Sequence, residues 1–267
     1  MRTKRLSASS YSNTAPLIWS FLYGQNRGKY EIILDTAPAR SAQLLSENRV
    51  DVALVPVIAF QQIEGAKLIP QVCVGSKEKV RSVCLVAKDS NLRSAKKVAL
   101  DISSKTSIVL TKIIFREFFG FEPHWEISEP KLDKMLQNSD CALIIGDPAL
   151  TIDETKFVKF DLVQIWRKFT GLGFIFAMWM TKHETCEIDF VAVCNEGLAH
   201  LDEIISNYIA EIPLPPEDFR NYLSKNIIYF PDHSMQEGLK LYFELAKKNS
   251  LIENNKPLEF CSSAHSS

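Results

Sequence analysis

Several places along this chain hold residue types suited to gripping a small, oxygen-rich anion. Asn13 sits in a polar loop just ahead of a helix, and its amide can donate and accept at once. Asn is also a favoured helix N-cap, so capping is the plain alternative. Ser103, Ser104, Thr106 and Ser107 crowd the expected start of a second helix. Free backbone N–H groups and the helix dipole favour an anion there, and hydroxyls add donors. Capping again competes, but four hydroxyls exceed what a cap needs.

Arg81 and Ser82 open a β-rich run, Val80–Lys88. Neighbours along a strand point to opposite faces, so only one of the pair faces a given ligand. Arg81 offers a carboxylate fork, although arginine is ordinarily a surface residue. Ser82 is the better candidate for the ligand side. Asp147 follows the apolar run Cys141–Gly146, at the carboxyl end where open α/β sheets bind ligands. It suits a base, a turn before Pro148, or a hydrogen bond joining two halves of the molecule. Thr170, Gly171 and Trp179 flank a further strand, where Trp179 either stacks on a ring or fills the core.

Composition narrows the chemistry. The chain has 267 residues, 46% hydrophobic and 24% charged, with a formal net charge of −1. No general field draws it to nucleic acid or to an anionic membrane, so an anion site must be built locally. No stretch approaches the roughly 20 apolar residues of a membrane span. The basic start is not followed by an apolar signal core, which points to a cytoplasmic protein. Six cysteines occur without C-x-x-C spacing or a Cys/His cluster, and Cys73, Cys84 and Cys141 read as small buried hydrophobes. His124, His183, His200, His233 and His265 fall outside the polar clusters and read as surface or structural residues. No glycine-rich dinucleotide fingerprint appears, and no side chain stands out as a general base.

The elements that must position these residues alternate. Strands are expected at Lys4–Ser9, Tyr30–Thr36, Val50–Pro56, Val80–Lys88, Lys97–Asp101, Glu122–Ile127, Cys141–Gly146 and Phe174–Thr181. Helices are expected from Ala15, at Arg40–Asn48, Ile108–Phe119, Pro130–Asn138 and Asp161–Phe169, then over Ile188–Ile209, Glu217–Lys225 and Ser234–Lys248. Strand and helix in alternation predict an α/β fold with parallel sheets, finished by helices. The serine-rich tail Cys261–Ser267 reads as frayed.

Seven segments together resemble the MqnA family of chorismate dehydratases. They are Ser10–Leu17 (SYSNTAPL), Val50–Pro56 (VDVALVP), Val80–Leu85 (VRSVCL), Ala99–Ser107 (ALDISSKTS), Asp140–Leu150 (DCALIIGDPAL), Asp161–Trp166 (DLVQIW) and Thr170–Trp179 (TGLGFIFAMW). They run in the family's order, and Tyr229 and Phe230 fit less specifically. The family usually carries Pro where this chain has Gly173. Glycine adds backbone freedom there but removes no functional group.

The resemblance implies a two-lobed fold of the type II periplasmic-binding-protein kind, with a ligand cleft between lobes. Residues 1–86 and 176–267 would form one lobe and 87–175 the other, with Val80–Ala87 and Phe174–Thr181 as crossings. It implies dehydration of chorismate to 3-[(1-carboxyvinyl)oxy]benzoate on the futalosine route to menaquinone, with no metal or organic cofactor. Asn13 becomes the catalytic residue at the reacting end. Ser82, Ser104, Thr106, Ser107, Asp147, Thr170, Gly171, Arg81 and Trp179 become substrate-binding candidates. The expected partner is the small-molecule substrate, with no nucleic acid and no membrane, in a monomer or homodimer. Two alternatives share the fold: a non-enzymatic small-anion solute-binding protein, and the sister lyase of the same route.

Overall fold

The structure is a computed structural model that describes residues 2–35 and 38–263. Ten strands form two five-stranded sheets. The first sheet holds β1 (Arg5–Ser9), β2 (Glu31–Asp35), β3 (Val52–Pro56), β4 (Lys67–Ser76) and β10 (Phe174–Thr181). The second holds β5 (Val83–Ala87), β6 (Lys97–Asp101), β7 (His124–Ser128), β8 (Cys141–Ile145) and β9 (Val158–Asp161). Their orders are β2-β1-β3-β10-β4 and β7-β6-β8-β5-β9.

The two sheets repeat one plan. Four strands point the same way in each, the adjacent parallel trio β2-β1-β3 or β7-β6-β8 and the edge strand β4 or β9. One antiparallel strand then follows, β10 beside β3 or β5 beside β8. β3, β5 and β8 are buried along their whole length, which explains their unbroken apolar sequences. One large core runs through both sheets, and a smaller cluster around Cys84, Val86, Ala142 and Met135 covers the outer face of the second.

The crossings lie beside the strands expected to make them. β5 belongs whole to the second sheet and β10 whole to the first, so the chain passes between sheets just before each. Residues 77–82 make the first passage and Gly171–Gly173 the second. Arg81 and Ser82 therefore lie in a bend, not in a strand, and strand alternation does not decide where they point. Arg81 adopts a left-handed φ of 64°. Its N–H donates to the Asp161 carboxylate at 2.6 Å.

β4 is absent from the sequence expectation. Pro70, Gln71 and Gly75 interrupt its alternation, Gln71 has a φ of 75°, and its pairing with β10 shifts register. β9 is likewise absent from the expectation, which takes only its last residue, Asp161, as the beginning of a helix. Asp161 ends that strand and caps the helix Leu162–Thr170, accepting from the N–H groups of Val163 (2.9 Å) and Gln164 (3.2 Å). At the C-terminus Ser262–Ser263 pairs with Thr185–Cys186, and Cys261 is buried, so the tail is anchored up to that point. The last four residues, and Thr36 at the end of the second expected strand, lie outside the described residues.

All six cysteines are buried and free. Burial pushes the thiols of Cys84, Cys141 and Cys194 up to about 12, which leaves them protonated and poor nucleophiles.

Candidate active site

The carboxyl ends of the parallel strands in both sheets converge on one cavity. Its walls carry Ser9 at the end of β1, Pro56 at the end of β3 and Ile145 at the end of β8. The loop after β1 adds Tyr11, Asn13 and Thr14, and the turn after β6 adds Ser103, Ser104, Thr106 and Ser107. The cavity volume is about 70 Å³. None of its lining residues carries a charge.

Asn13 is held by its neighbours. The Thr14 hydroxyl donates to the carbonyls of Ser9 (2.7 Å) and Tyr11 (2.8 Å), closing residues 12–14 into a turn of 3-10 helix. From the helical half of the chain, the Tyr208 hydroxyl donates to the Ser10 carbonyl at 3.0 Å. The helix Ala15–Leu22 has Thr14 at its cap position with no side-chain cap, so Asn13 does not act as a cap. Its amide lines the cavity instead.

The opposite wall is the start of the helix Lys105–Ile113. Ser104 is its N-cap and accepts from the Ser107 N–H at 3.4 Å. Thr106 accepts the Ile58 N–H at 3.4 Å, and its carbonyl accepts from the Tyr242 hydroxyl at 3.1 Å. Ser103 turns away toward Asp101, donating through its N–H (2.9 Å) and hydroxyl (2.6 Å). Capping thus accounts for Ser104, while Thr106 bridges to the first sheet's side of the molecule and Ser107 lines the cavity.

Three carboxylates lie near this site, Asp101 and Asp161 buried and Asp147 half-buried. Burial raises Asp101, Asp147 and Asp161 above the ordinary Asp range, and hydrogen bonds from Ser103, Ser12 and the Arg81 region pull each part of the way back. Asp147 joins the end of β8 to the loop after β1 beside the cavity. It accepts the Ser12 N–H at 3.1 and 3.3 Å and also the Ser12 hydroxyl. Beside it the Tyr11 ring packs on Gly146, whose φ of 67° and ψ of −152° suit only glycine.

The remaining expected residues fall elsewhere. Ser82 is fully buried just behind the cavity, its carbonyl accepting from the Gly146 N–H at 2.8 Å. Arg81 sends its guanidinium to the Asp218 carbonyl at 3.3 Å. Thr170 and Gly171 close the end of a helix, with the Thr170 hydroxyl on the Trp166 carbonyl at 2.8 Å, and neither lines the cavity. Trp179 is a core residue packed on Phe190 and Phe21. The departure at Gly173 is packed tightly. Its N–H donates to the Ser234 hydroxyl at 3.1 Å, and a Cβ there would lie 2.6 Å from Met235.

Two residues near the site escaped the sequence reading. Asp101 was hidden because a lone acid at a strand end carries no local pattern. Tyr222, from the C-terminal helices, is fully buried with its hydroxyl facing the side chains of Asn13 and Ser82, short of full hydrogen-bond geometry. No spacing rule connects Tyr222 with Asn13 and Ser82, which lie 209 and 140 positions earlier. Among the described residues no group of three or more His, Cys, Asp or Glu is arranged to hold a metal ion.

Residues 4–248 match a family described as menaquinone biosynthesis. The chain belongs to that family. A chorismate dehydratase of Thermus thermophilus is 28% identical over 91% of this chain and 95% of its own. Among solved structures, a protein of Archaeoglobus fulgidus superposes with a TM-score of 0.69 at 15% identity, covering 93% of this chain and 98% of the other. A Candida albicans gene product described as having the generic periplasmic binding protein fold gives 0.67 at 12% identity, over 95% and 92%. These likenesses establish the two-lobed binding-protein fold expected from the sequence. Among the described residues no helix is long and apolar enough to cross a membrane.

Proposed function

We propose that this member of the menaquinone biosynthesis family is a chorismate dehydratase, acting in the cytoplasm on a small-molecule substrate. The observation that carries the reading is the uncharged, donor-rich cavity between the two sheets, with Asn13 on one wall and the hydroxyl-lined helix start on the other. The related Thermus enzyme supports the same substrate.

Chorismate is a dianion bearing one ring hydroxyl. Breaking the bond from ring carbon to that hydroxyl and removing one ring proton aromatises the ring and releases one water. The product is 3-[(1-carboxyvinyl)oxy]benzoate. The free N–H groups at the start of the helix Lys105–Ile113, with Ser107 and Thr106, hold one carboxylate. Asn13 donates to the departing hydroxyl. Fixed donors in a dry site stabilise developing negative charge far better than water does.

No acid or imidazole lines the cavity, so the proton acceptor on this reading is a carboxylate of the substrate itself, brought to the ring by a fixed pose. The lining then needs donors rather than bases, and donors are what it contains.

Substrate needs more room than the cavity offers in this conformation. At about 70 Å³ the cavity is smaller than the roughly 150 Å³ of an engineered cavity that takes benzene. On this reading the sheet carrying β1–β4 and β10 parts from the sheet carrying β5–β9. The contacts that must release are Ser12 to Asp147, Tyr11 on Gly146 and Ile58 to Thr106.

The test is direct. Purified protein and chorismate are mixed, and products are followed by mass spectrometry. Protein-dependent loss of one water, giving the enolpyruvyl benzoate, is expected. Binding without conversion favours a solute-binding protein, and the absence of both binding and conversion favours the sister lyase or another ligand.

A further inference from the structure

We infer that Tyr222 is a positioning residue for this dehydration, its hydroxyl linking Ser82 to Asn13 and fixing which end of the Asn13 amide faces the cavity. The inference rests on the proposed chorismate chemistry and adds a residue to it.

Tyr222 begins a wide helical turn, Tyr222–Asn226, that follows the helix Pro216–Asn221. Its ring stacks on Phe219 with centroids 6.2 Å apart and planes 11° apart. The same helix is tied to the first passage between sheets, because the Asp218 carbonyl accepts from Arg81. The ring is therefore held against the bend that carries Ser82. Its hydroxyl has no water contact, and no hydrogen bond of full geometry completes it. The polar groups around it are the Ser82 hydroxyl and the Asn13 amide, with the Asp147 carboxylate and the Arg81 guanidinium also within its electrostatic reach.

A buried hydroxyl left in that state costs about 1–3 kcal/mol, whereas phenylalanine fits the same space without the cost. The oxygen therefore calls for a reason other than stability.

The reason lies in the shape of an amide. The oxygen and NH2 of asparagine are almost alike in size, so rotation by half a turn swaps donor for acceptor. Only the orientation with NH2 toward the cavity donates to a departing hydroxyl. The Ser82 hydroxyl rests on the Val80 carbonyl at 3.4 Å; turned instead to donate to Tyr222, with Tyr222 donating to the Asn13 carbonyl oxygen, it completes a chain that selects that orientation. Burial pushes the Tyr222 phenol far above its ordinary range, so it stays protonated and keeps its donor at any working pH. Serine and tyrosine hydroxyls each both donate and accept, which such a chain requires.

The test is Tyr222→Phe, measured for kcat, KM and Tm, alone and combined with Ser82→Ala. Loss of orientation at the reacting group is expected to lower kcat by about ten- to a hundredfold, with KM within about twofold. The Tm is expected to hold or rise, because the oxygen removed made no hydrogen bond of full geometry and phenylalanine fills the same space. In the Ser82→Ala background the same substitution is expected to lower kcat by about threefold or less, because the chain is already cut. An unchanged kcat, a change confined to KM, or an equal loss in both backgrounds overturns the inference. A fall in Tm that parallels kcat also overturns it, since the residue is then structural. Wild-type protein that leaves chorismate unchanged overturns the parent reading and this inference with it, whereas an active wild type with an unaffected variant overturns this inference alone.

Discussion

The carboxylate of Asp147, just past the end of β8, accepts the backbone N–H of Ser12 from the loop after β1 at 3.1 Å. One hydrogen-bonded pair thus joins the loop after β1 to the end of β8, next to residues that line the cavity. The Ser12 hydroxyl donates to the same carboxylate.

This pair has a pH signature. Burial holds the Asp147 carboxyl above its ordinary value of 3.8, despite the two donors from Ser12. A carboxyl raised on folding contributes stability that is present below the unfolded value and lost as pH rises through the folded value. Asp147→Asn lacks that titration. The Tm of the variant minus that of the wild type is therefore expected to increase between pH 3 and pH 7. A difference that is flat, or that falls with pH, contradicts the raised carboxyl.

Asn13→Ala removes the one amide in the cavity and no helix cap. Turnover is expected to fall by about a hundred- to a thousandfold, the usual loss of one transition-state donor. Substrate binding and Tm are expected to change little. Steady-state kinetics and a melting curve read both, and full turnover in the variant removes Asn13 from the reaction.

Thr106 and Ser107 divide one task unequally. Thr106→Ala leaves the buried Ile58 N–H without its partner, so a stability loss of about 1 kcal/mol accompanies a higher KM. Ser107→Ala is expected to raise KM by about tenfold with an unchanged melting temperature, as a carboxylate hydrogen bond is worth about 1.5–3 kcal/mol. An unchanged KM in both variants removes this helix start from substrate binding.

Gly146→Ala tests the contact between Tyr11 and the second sheet. The backbone there is in a glycine-only region, and a Cβ would lie 2.9 Å from the Tyr11 ring. A cost of about 1–3 kcal/mol is expected, read as a lower denaturant midpoint. A midpoint equal to wild type contradicts the geometry.

Restoring the family's proline at Gly173 is expected to harm this chain. The Gly173 N–H is in use with Ser234, and proline has none. The loss is about 1–3 kcal/mol, enough to lower the Tm by several degrees. A Tm above wild type shows instead that the lost backbone freedom outweighs the bond.

Most of the fold was legible because buried parallel strands such as Val52–Pro56 and Cys141–Ile145 carry unbroken apolar runs that nothing else explains. β4 escaped because its pairing is irregular and Pro70, Gln71 and Gly75 hide the strand. Asn13 and the Ser103–Ser107 cluster were legible as local concentrations of donors beside helix starts. Arg81 was misplaced because its left-handed backbone puts it in a bend, where period-two reasoning does not hold. Trp179 pointed to ring stacking only by its type, and burial among Phe21 and Phe190 gives it a packing role. Tyr222 was out of reach, since its relation to Asn13 exists only after the helices close over the first sheet.

The strand orders carry a consequence for how the molecule comes into being. The second sheet uses only residues 83–161, an unbroken stretch. The first sheet has a gap between β3 and β4 that only β10 fills, and β10 ends at residue 181. During synthesis the earlier-made half must therefore wait, with its centre open, while the later-made half assembles and hands back the missing strand. A chain cut anywhere between residues 90 and 170 has no complete first sheet, and a nascent chain of that length presents the exposed strand edges that chaperones recognise.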